Sequence, residues 1–256
     1  MYRSILLLAL AALASCTAQE QKNQQPDIPK GDEVVNMAIE AHGGKKYDQS
    51  RISFDFRGKH YTAERDNGRF LLGQSYTDTT GEVDKAVVQV LSNDGFEVTI
   101  DGEPVTLDPR MHAIQSASVN SVHYFMILPF GLNDPAVNKE YLGEIQVKGI
   151  ACDKVRVTFD QQGGGTDFED VFLYWFDADS HELKYLAYEY HVNGGGIRFR
   201  EAINQRRVGG ILFNDYVNYK VDPASQSLAV SDSLFEQGAL EELSRIISEN
   251  VQVESL

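Results

Sequence analysis

Phe168-Glu-Asp-Val-Phe-Leu-Tyr-Trp-Phe176, then Asp177-Ala-Asp-Ser-His181, then Leu183-Lys-Tyr-Leu-Ala-Tyr-Glu-Tyr-His191 is the stretch on which the fold turns. Two runs this rich in aromatic and β-branched residues, broken by an Asp/Ser turn, predict paired strands. The first run is apolar on both faces: Val171, Leu173 and Trp175 alternate with Phe172, Tyr174 and Phe176. The second sets Leu183, Tyr185 and Ala187 against Lys184, Leu186, Tyr188 and Tyr190. A strand apolar on both sides must be covered on both. The rest of the chain therefore supplies cover for one face, and cover or a ligand for the other.

Upstream, alternation over residues 52–65 predicts a strand with one wet face, Ile52, Phe54, Phe56 and Gly58 opposing Ser53, Asp55, Arg57 and Lys59. Residues 70–76, 85–91, 96–100 and 104–107 continue as strands. Asn67-Gly68, Asn93-Asp94-Gly95 and Asp101-Gly102 mark their turns, and these are strong hairpin signals. No long helix interrupts them, so this half predicts an antiparallel meander. Residues 141–147 and 154–159 are further strands joined at Gly149. Beyond the opening hairpin, Gly194-Gly-Gly196 leads to a strand over 197–203, and 208–221 reads as the last long strand.

Three helices are expected. The first starts at Gly31 or Asp32, carries Val35, Ala38, Ile39 and His42 on one stripe, and stops at Gly43-Gly44. Asp108-Pro109 opens the second, Asp as N-cap and Pro at the first helical position. It runs to about residue 125, with Met111, Ile114, Ala117 or Ser118, and Val122 along one side. Tyr124-Phe-Met-Ile-Leu-Pro-Phe130 follows, too apolar for an acidic surface: either core or a lid over a cavity. Residues 231–251 read as a closing helix, with Leu240, Leu243, Ile246 and Ile247 opposite Glu241, Glu242, Arg245 and Glu249.

The N-terminus carries an address. Arg3, the apolar run 5–13 and the small residues after it have the make-up of a signal peptide, and the run is too short to span a membrane. Leu13-Ala-Ser-Cys16 resembles the bacterial lipobox, in which the signal is cut before a cysteine that then receives lipid. The expected organisation is a signal at 1–15, a Gln-rich tether at 16–30 with Pro26 and Pro29, and a folded domain at 31–256. Thr17 after the cysteine points to the outer membrane, facing the periplasm. The formal charge of −15 argues against nucleic acid or anionic headgroups as main partners. With Cys16 acylated only Cys152 remains, so no intrachain disulfide is expected. Cys152, beside Val155 and Val157, reads as a buried small hydrophobe.

Few residues point to chemistry. The triple glycines lie between strands and read as turns rather than phosphate loops. The six histidines show no metal-ligand spacing. His42 ends an apolar stripe and reads as an interior or cap histidine; His123 stands beside the apolar 124–130 run. Glu169 and Asp170 point to opposite faces, and Asp177 and Asp179 suit a turn. Glu201 shares a face with Ile197, Phe199 and Ile203, so it is either at a rim or a buried acid with a raised pKa. Arg198, Arg200, Arg206 and Arg207 form the one basic cluster, either paired with local acids or meeting an anionic group at a cavity mouth.

The lipobox, the Ala38-Ile-Glu-Ala-His-Gly-Gly44 helix end, the 124–130 segment and the strand-turn-strand Tyr174-Trp-Phe-Asp-Ala-Asp-Ser-His-Glu-Leu-Lys-Tyr-Leu186 resemble an uncharacterised family of Gram-negative lipoproteins of LolA/LolB-like type. That resemblance implies a mainly β (α+β) fold, an open antiparallel half-barrel wrapped over a few helices, with an apolar cavity. It carries over no catalytic residue and no cofactor. The expectation is a lipid-anchored envelope protein that holds a lipid or other apolar molecule without catalysis. Val171, Leu173, Trp175, Tyr185, Phe125, Leu128 and Phe130 are the expected cavity lining, Arg198, Arg200 and Glu201 the expected rim, and the 124–130 segment the lid. Two other readings stand beside it: a periplasmic enzyme using Glu201 and His123, and a structural subunit that packs the same face against a partner.

Overall fold

The computed structural model describes residues 30–165, 167–191, 194–222 and 227–256. The expected signal peptide, Cys16 and almost all of the tether lie outside them. The first helix, α1 (Lys30–His42), buries Val34, Val35, Ala38, Ile39 and His42 and ends, as its sequence predicts, at Gly43-Gly44. Six strands follow: β1 (Gln49–Phe56), β2 (Lys59–Asp66), β3 (Arg69–Asp78), β4 (Lys85–Ser92), β5 (Gly95–Ile100) and β6 (Glu103–Pro104). They pair in chain order as an antiparallel meander. The single strand expected over 52–65 is instead a tight hairpin. Arg57 (φ 50°) and Gly58 (φ 72°) both take left-handed backbone, the conformation of a two-residue type I′ turn. Arginine at the first position hides that turn from a reading that looks for Asn-Gly or Asp-Gly.

Helix α2 (Pro109–Met126) is capped by Asp108, whose carboxylate accepts from the N–H groups of Arg110 and Met111, both at 3.0 Å. Its second half is buried at Val119, His123 and Met126; Met111 and Ile114 in its first half are exposed. Eight further strands complete the chain: β7 (Val137–Val147), β8 (Ile150–Phe159), β9 (Val171–Asp177), β10 (Leu183–Tyr190), β11 (Gly196–Val208), β12 (Ile211–Val221), β13 (Glu241–Ile246) and β14 (Glu249–Ser255). Between β12 and β13 comes the short helix α3 (Ser231–Glu236). The long strand expected over 208–221 begins at Ile211, because Gly209 and Gly210 turn the chain back from β11.

The closing helix expected over 231–251 is largely absent. Only α3 is helical; Gly238 (φ 69°) follows it, and the rest forms the two strands β13 and β14. Leu240, Leu243, Ile246 and Ile247 fit a helical stripe, but β12 offers a free edge, and the ladder from Tyr216↔Ile246 to Lys220↔Glu241 is formed instead. β14 crosses to the other sheet and pairs with β1. The result is two seven-stranded antiparallel sheets, β14-β1-β2-β3-β4-β5-β6 and β13-β12-β11-β10-β9-β8-β7, linked by the β13–β14 connection and not closed into a barrel.

The doubly apolar strand β9 is covered on both faces, as its sequence requires. On the inner face Phe172, Tyr174, Phe176, Leu183 and Leu186 pack with Val34, Val35, Ala38 and Ile39 of α1 and with Leu128 and Leu132 after α2. On the outer face Leu173, Trp175, Tyr185 and Ala187 pack with Val147, Cys152, Ile197, Phe199, Leu228 and Phe235. The outer cover is therefore the chain's own α3 region. Cys152 is fully buried there, and burial pushes its thiol up to about 12, which makes it an unreactive filler.

Candidate functional site

α2 lies over the inner faces of both sheets. Its buried side is seated on the first sheet: Val119 packs with Ala63, Leu72, Val87, Phe96 and Val98, and Met126 packs with Ile52, Phe54 and Tyr61. Toward the second sheet the fit is incomplete. A cavity of about 340 Å³ opens there, walled by Tyr124 and Phe125 of α2, Phe159 of β8, Phe172 of β9, Tyr188 and Tyr190 of β10, and Arg198 and Arg200 of β11. A second cavity of about 240 Å³ lies on the other side of Phe125, walled by Phe54, Phe56, Val122, Met126, Tyr216 and Ile246. Ser121, Phe125 and Arg200 belong to both. The two adjoin at these shared residues, which form a waist between them, and the first is in the size range of about 300–1,000 Å³ typical of small-ligand sites.

The waist is held by stacked rings and one cation. Phe125 and Tyr188 lie 5.3 Å apart, Phe172 and Tyr188 stack at 5.3 Å, and Phe159 meets Phe172 edge-on at 5.8 Å. Aromatic pairs of this geometry contribute about 0.5–1.5 kcal/mol each beyond their buried area. The Arg200 guanidinium lies 3.9 Å from the Phe125 ring centroid and donates to the Tyr188 hydroxyl at 2.8 Å. Deeper in, the Tyr124 and Tyr174 hydroxyls share a hydrogen bond of 2.8 Å. At the mouth, burial first and Asp167 second raise the Asp170 carboxyl to about 6.

Several expected site residues fall elsewhere. Leu173, Trp175 and Tyr185 point outward into the cluster under α3, and Val171 packs at its edge, so these four do not line the cleft. A one-residue parity error along β9 and β10 accounts for all four, since neighbouring side chains on a strand face opposite ways. Phe125 does line the cleft. Leu128 is buried beneath α1, and Phe130 stacks on Tyr47 at 4.8 Å. The 124–130 segment is thus mostly a plug in the core rather than a lid; Met126, Ile127 and Leu128 are all buried.

The rim residues divide. Arg198 and Arg200 face the cleft. Glu201 faces out, opposite Tyr185, and accepts from the Tyr219 hydroxyl at 3.2 Å. Arg206 pairs with Asp215 at 3.1 Å, and Arg207 donates to the Ala41 carbonyl at 2.9 Å. His123 is buried edge-on against the stacked pair Phe54 and Tyr61, where its Nε2–H donates to the Gly73 carbonyl at 3.0 Å. Glu201 and His123 are therefore not brought together, and no polar pocket converges on the two, as the enzyme reading with Glu201 or His123 as general acid–base would need. Among the described residues no three His, Cys, Asp or Glu side chains are placed to hold a metal ion.

Phe172, Tyr188 and Phe159 are lining residues that sequence reasoning passed over. A signal for them existed: Tyr188 pairs directly with Arg198, and Leu186 with Arg200, so the arginines mark the face on which the cleft lies.

The architecture defines a class, an open antiparallel half-barrel of mainly β (α+β) type. Over residues 3–247 the chain matches DUF6503, a family of unknown function, and it belongs to that family. A search of the curated proteins gives no match. Among solved structures it is similar to a LolA superfamily protein from Nitrosomonas europaea, at 10% identity over 90% of this chain and 96% of that one, with a TM-score of 0.49. It is also similar to a putative outer membrane lipoprotein-sorting protein domain from Vibrio parahaemolyticus (8% identity, 81% and 98% covered, TM-score 0.35). A third likeness is the lipoprotein LppX of Mycobacterium tuberculosis (14%, 64% and 88%, TM-score 0.27). The uncharacterised family and the open antiparallel half-barrel expected from the sequence agree with the family match and with the two unclosed sheets.

Proposed function

We propose that the protein is a non-catalytic carrier or sensor that holds one lipid or other apolar molecule in the cleft between α2 and the inner face of the second sheet. The observation that supports this reading is the cleft itself: six aromatic side chains wall a cavity of about 340 Å³ that the protein's own core does not fill. Each methylene moved there from water contributes roughly 0.8 kcal/mol, from which the costs of association and ordering are subtracted. Entry is by displacement of the first turns of α2, where Met111 and Ile114 bury little. In this reading Cys16 carries the lipid that anchors the domain from residue 31 onward to the envelope, at the outer membrane and facing the periplasm. Residues 16–30 are the tether.

The test uses the full chain carrying Cys16→Ser, titrated with dodecanol and with an apolar fluorescent dye. Binding at about 100 μM or tighter is expected, since a dozen buried methylenes give a gross gain of order 10 kcal/mol. Phe125→Glu, which puts a charge at the waist, abolishes it; Leu173→Ala, on the outer face, does not. Absence of binding by the parent chain, or binding lost through Leu173 and kept through Phe125, overturns the reading.

A further inference from the structure

We propose that the molecule held in the cleft is a single-chain amphiphile with an anionic head, a carboxylate or a phosphate monoester, and that Arg200 receives that head. This rests on the apolar-cleft reading above and adds the charge and shape of the ligand.

Arg200 is 8% exposed. A buried cation is costly unless it is paired, and removing the partner of such a charge destabilises strongly. Two buried lysines obey that rule, Lys154 meeting Asp232 at 2.6 Å and Lys139 meeting Asp32 at 2.9 Å, whereas Arg65 of β2, like Arg200, keeps a buried nitrogen without a hydrogen-bond partner. Arg200 meets no carboxylate among the described residues. Among the described residues its one hydrogen bond is from a terminal nitrogen to the Tyr188 hydroxyl, and its charge rests on the faces of Phe125 (3.9 Å) and Tyr188 (5.1 Å). Its Nε is buried with no partner at all.

Arg198 repeats the pattern two residues away on the same face. Its one hydrogen bond goes to the Ile197 carbonyl, its guanidinium lies 5.2 Å from the Tyr190 ring centroid, and it too has no acid partner among the described residues. In a chain of net charge −15, acids to neutralise two arginines are abundant, and Arg206 and Arg207 a few residues on do have them. Asp167 and Asp170 line the mouth of the same cavity, but neither forms an ion pair with Arg198 or Arg200, so the two arginines, side by side in an aromatic cleft, are matched by a charge the ligand brings. The planar guanidinium fork suits a carboxylate or phosphate better than any neutral head. Both cavities meet at Arg200, so a head placed there leaves the chain to run along the aromatic wall of Phe125, Phe172 and Phe159. Cavities of about 340 and 240 Å³ suit one chain rather than two.

The experiment is isothermal titration calorimetry of the Cys16→Ser chain with dodecanoate, dodecyl phosphate, dodecanol and dodecyltrimethylammonium, all below their micelle concentrations. At least one acid is expected to bind about 10-fold or more tighter than dodecanol, as a charge-assisted hydrogen bond predicts. The ranking of the two acids identifies the head. Arg200→Met is expected to bring both acids down to the level of the alcohol. Equal binding of acids and alcohol by the parent chain, a preference for the ammonium, or an acid preference that survives Arg200→Met overturns the anionic-head proposal while the apolar cleft stands. Failure of all four probes overturns both. Should Arg200→Met not fold, the acid-to-alcohol ratio of the parent chain decides by itself, with Arg198→Gln as the second variant.

Discussion

At the scale of single residues, the interior carries two histidines that are structural and uncharged. His42 accepts the Leu183 N–H at 3.0 Å through Nε2, and His123 donates to the Gly73 carbonyl. Burial pulls both down to about 4. In each case the folded pKa lies below the unfolded value of about 6.5, so the unfolded chain binds more protons between those limits. Stability is therefore fully kept above about pH 6.5 and falls as pH drops toward 4, by about 3 kcal/mol for each histidine. Asp170, raised to about 6, works the other way in the same window. The measurement is urea unfolding from pH 7 to pH 4.5, parent against His123→Gln; the variant's pH slope is expected to be shallower by one histidine's share. Identical slopes would mean that His123 is not held neutral. Burial of this kind was only half legible beforehand. The stripe ending in His42 placed that ring inside, but the ring of His123 is fixed by Phe54 and Tyr61, partners some sixty residues away that no local pattern names.

At the scale of elements, α3 is short but decisive. Phe235 stacks on Phe199 at 4.7 Å and meets Tyr185 at a tilt at 5.4 Å, closing the outer face over Trp175. Trp175 is fully buried, so its native emission is expected to be blue-shifted and poorly quenched by iodide. Phe235→Ala should cost about 3–5 kcal/mol and move that emission to the red. An unshifted spectrum would mean that something else covers the strand. α3 is also pinned by charge: Lys154 Nζ lies 2.6 Å from Asp232 and 5.0 Å from the Trp175 ring centroid. Lys154→Met leaves a buried carboxylate alone and is expected to lose about 3–5 kcal/mol, most of it recovered in the Lys154→Met, Asp232→Leu double variant. If the double variant is no better than the single one, the pair is not what holds α3. The sequence demanded a cover over Leu173 and Trp175 without saying which segment provides it. A six-residue helix carries too little periodicity to be read, and the stripe Leu240, Leu243, Ile246 and Ile247 pointed to a longer helix in its place. What decides between helix and strand there is the open edge of β12, a tertiary fact. The hairpins were legible where Asn-Gly or Asp-Gly announced them, and illegible at Arg57-Gly58, where only the backbone shows the turn.

At the scale of the whole molecule, the antiparallel order and the doubly covered strand β9 followed from the apolar patterning and the half-barrel from the family resemblance, whereas the side on which the cleft lies followed from neither. Alternation says that two faces exist; which one meets α2 depends on how the helices dock. The proposed envelope address makes its own prediction. Mass spectrometry of the mature N-terminus should find Cys16 as the first residue and carrying lipid, and Cys16→Ala should leave the signal uncut; an unmodified wild-type N-terminal peptide would remove the anchor from the proposal. The C-terminal hairpin has a further consequence. β13 completes the ladder beside β12 while β14 completes the one beside β1, so one short segment seals an edge of each sheet. β1 is among the first strands to be synthesised and must wait for residues 249–255 before its outer edge is paired. Until that strand arrives, the edge is an open template for a neighbouring chain. A premature stop before β14 is therefore expected to yield aggregates rather than a smaller, working protein.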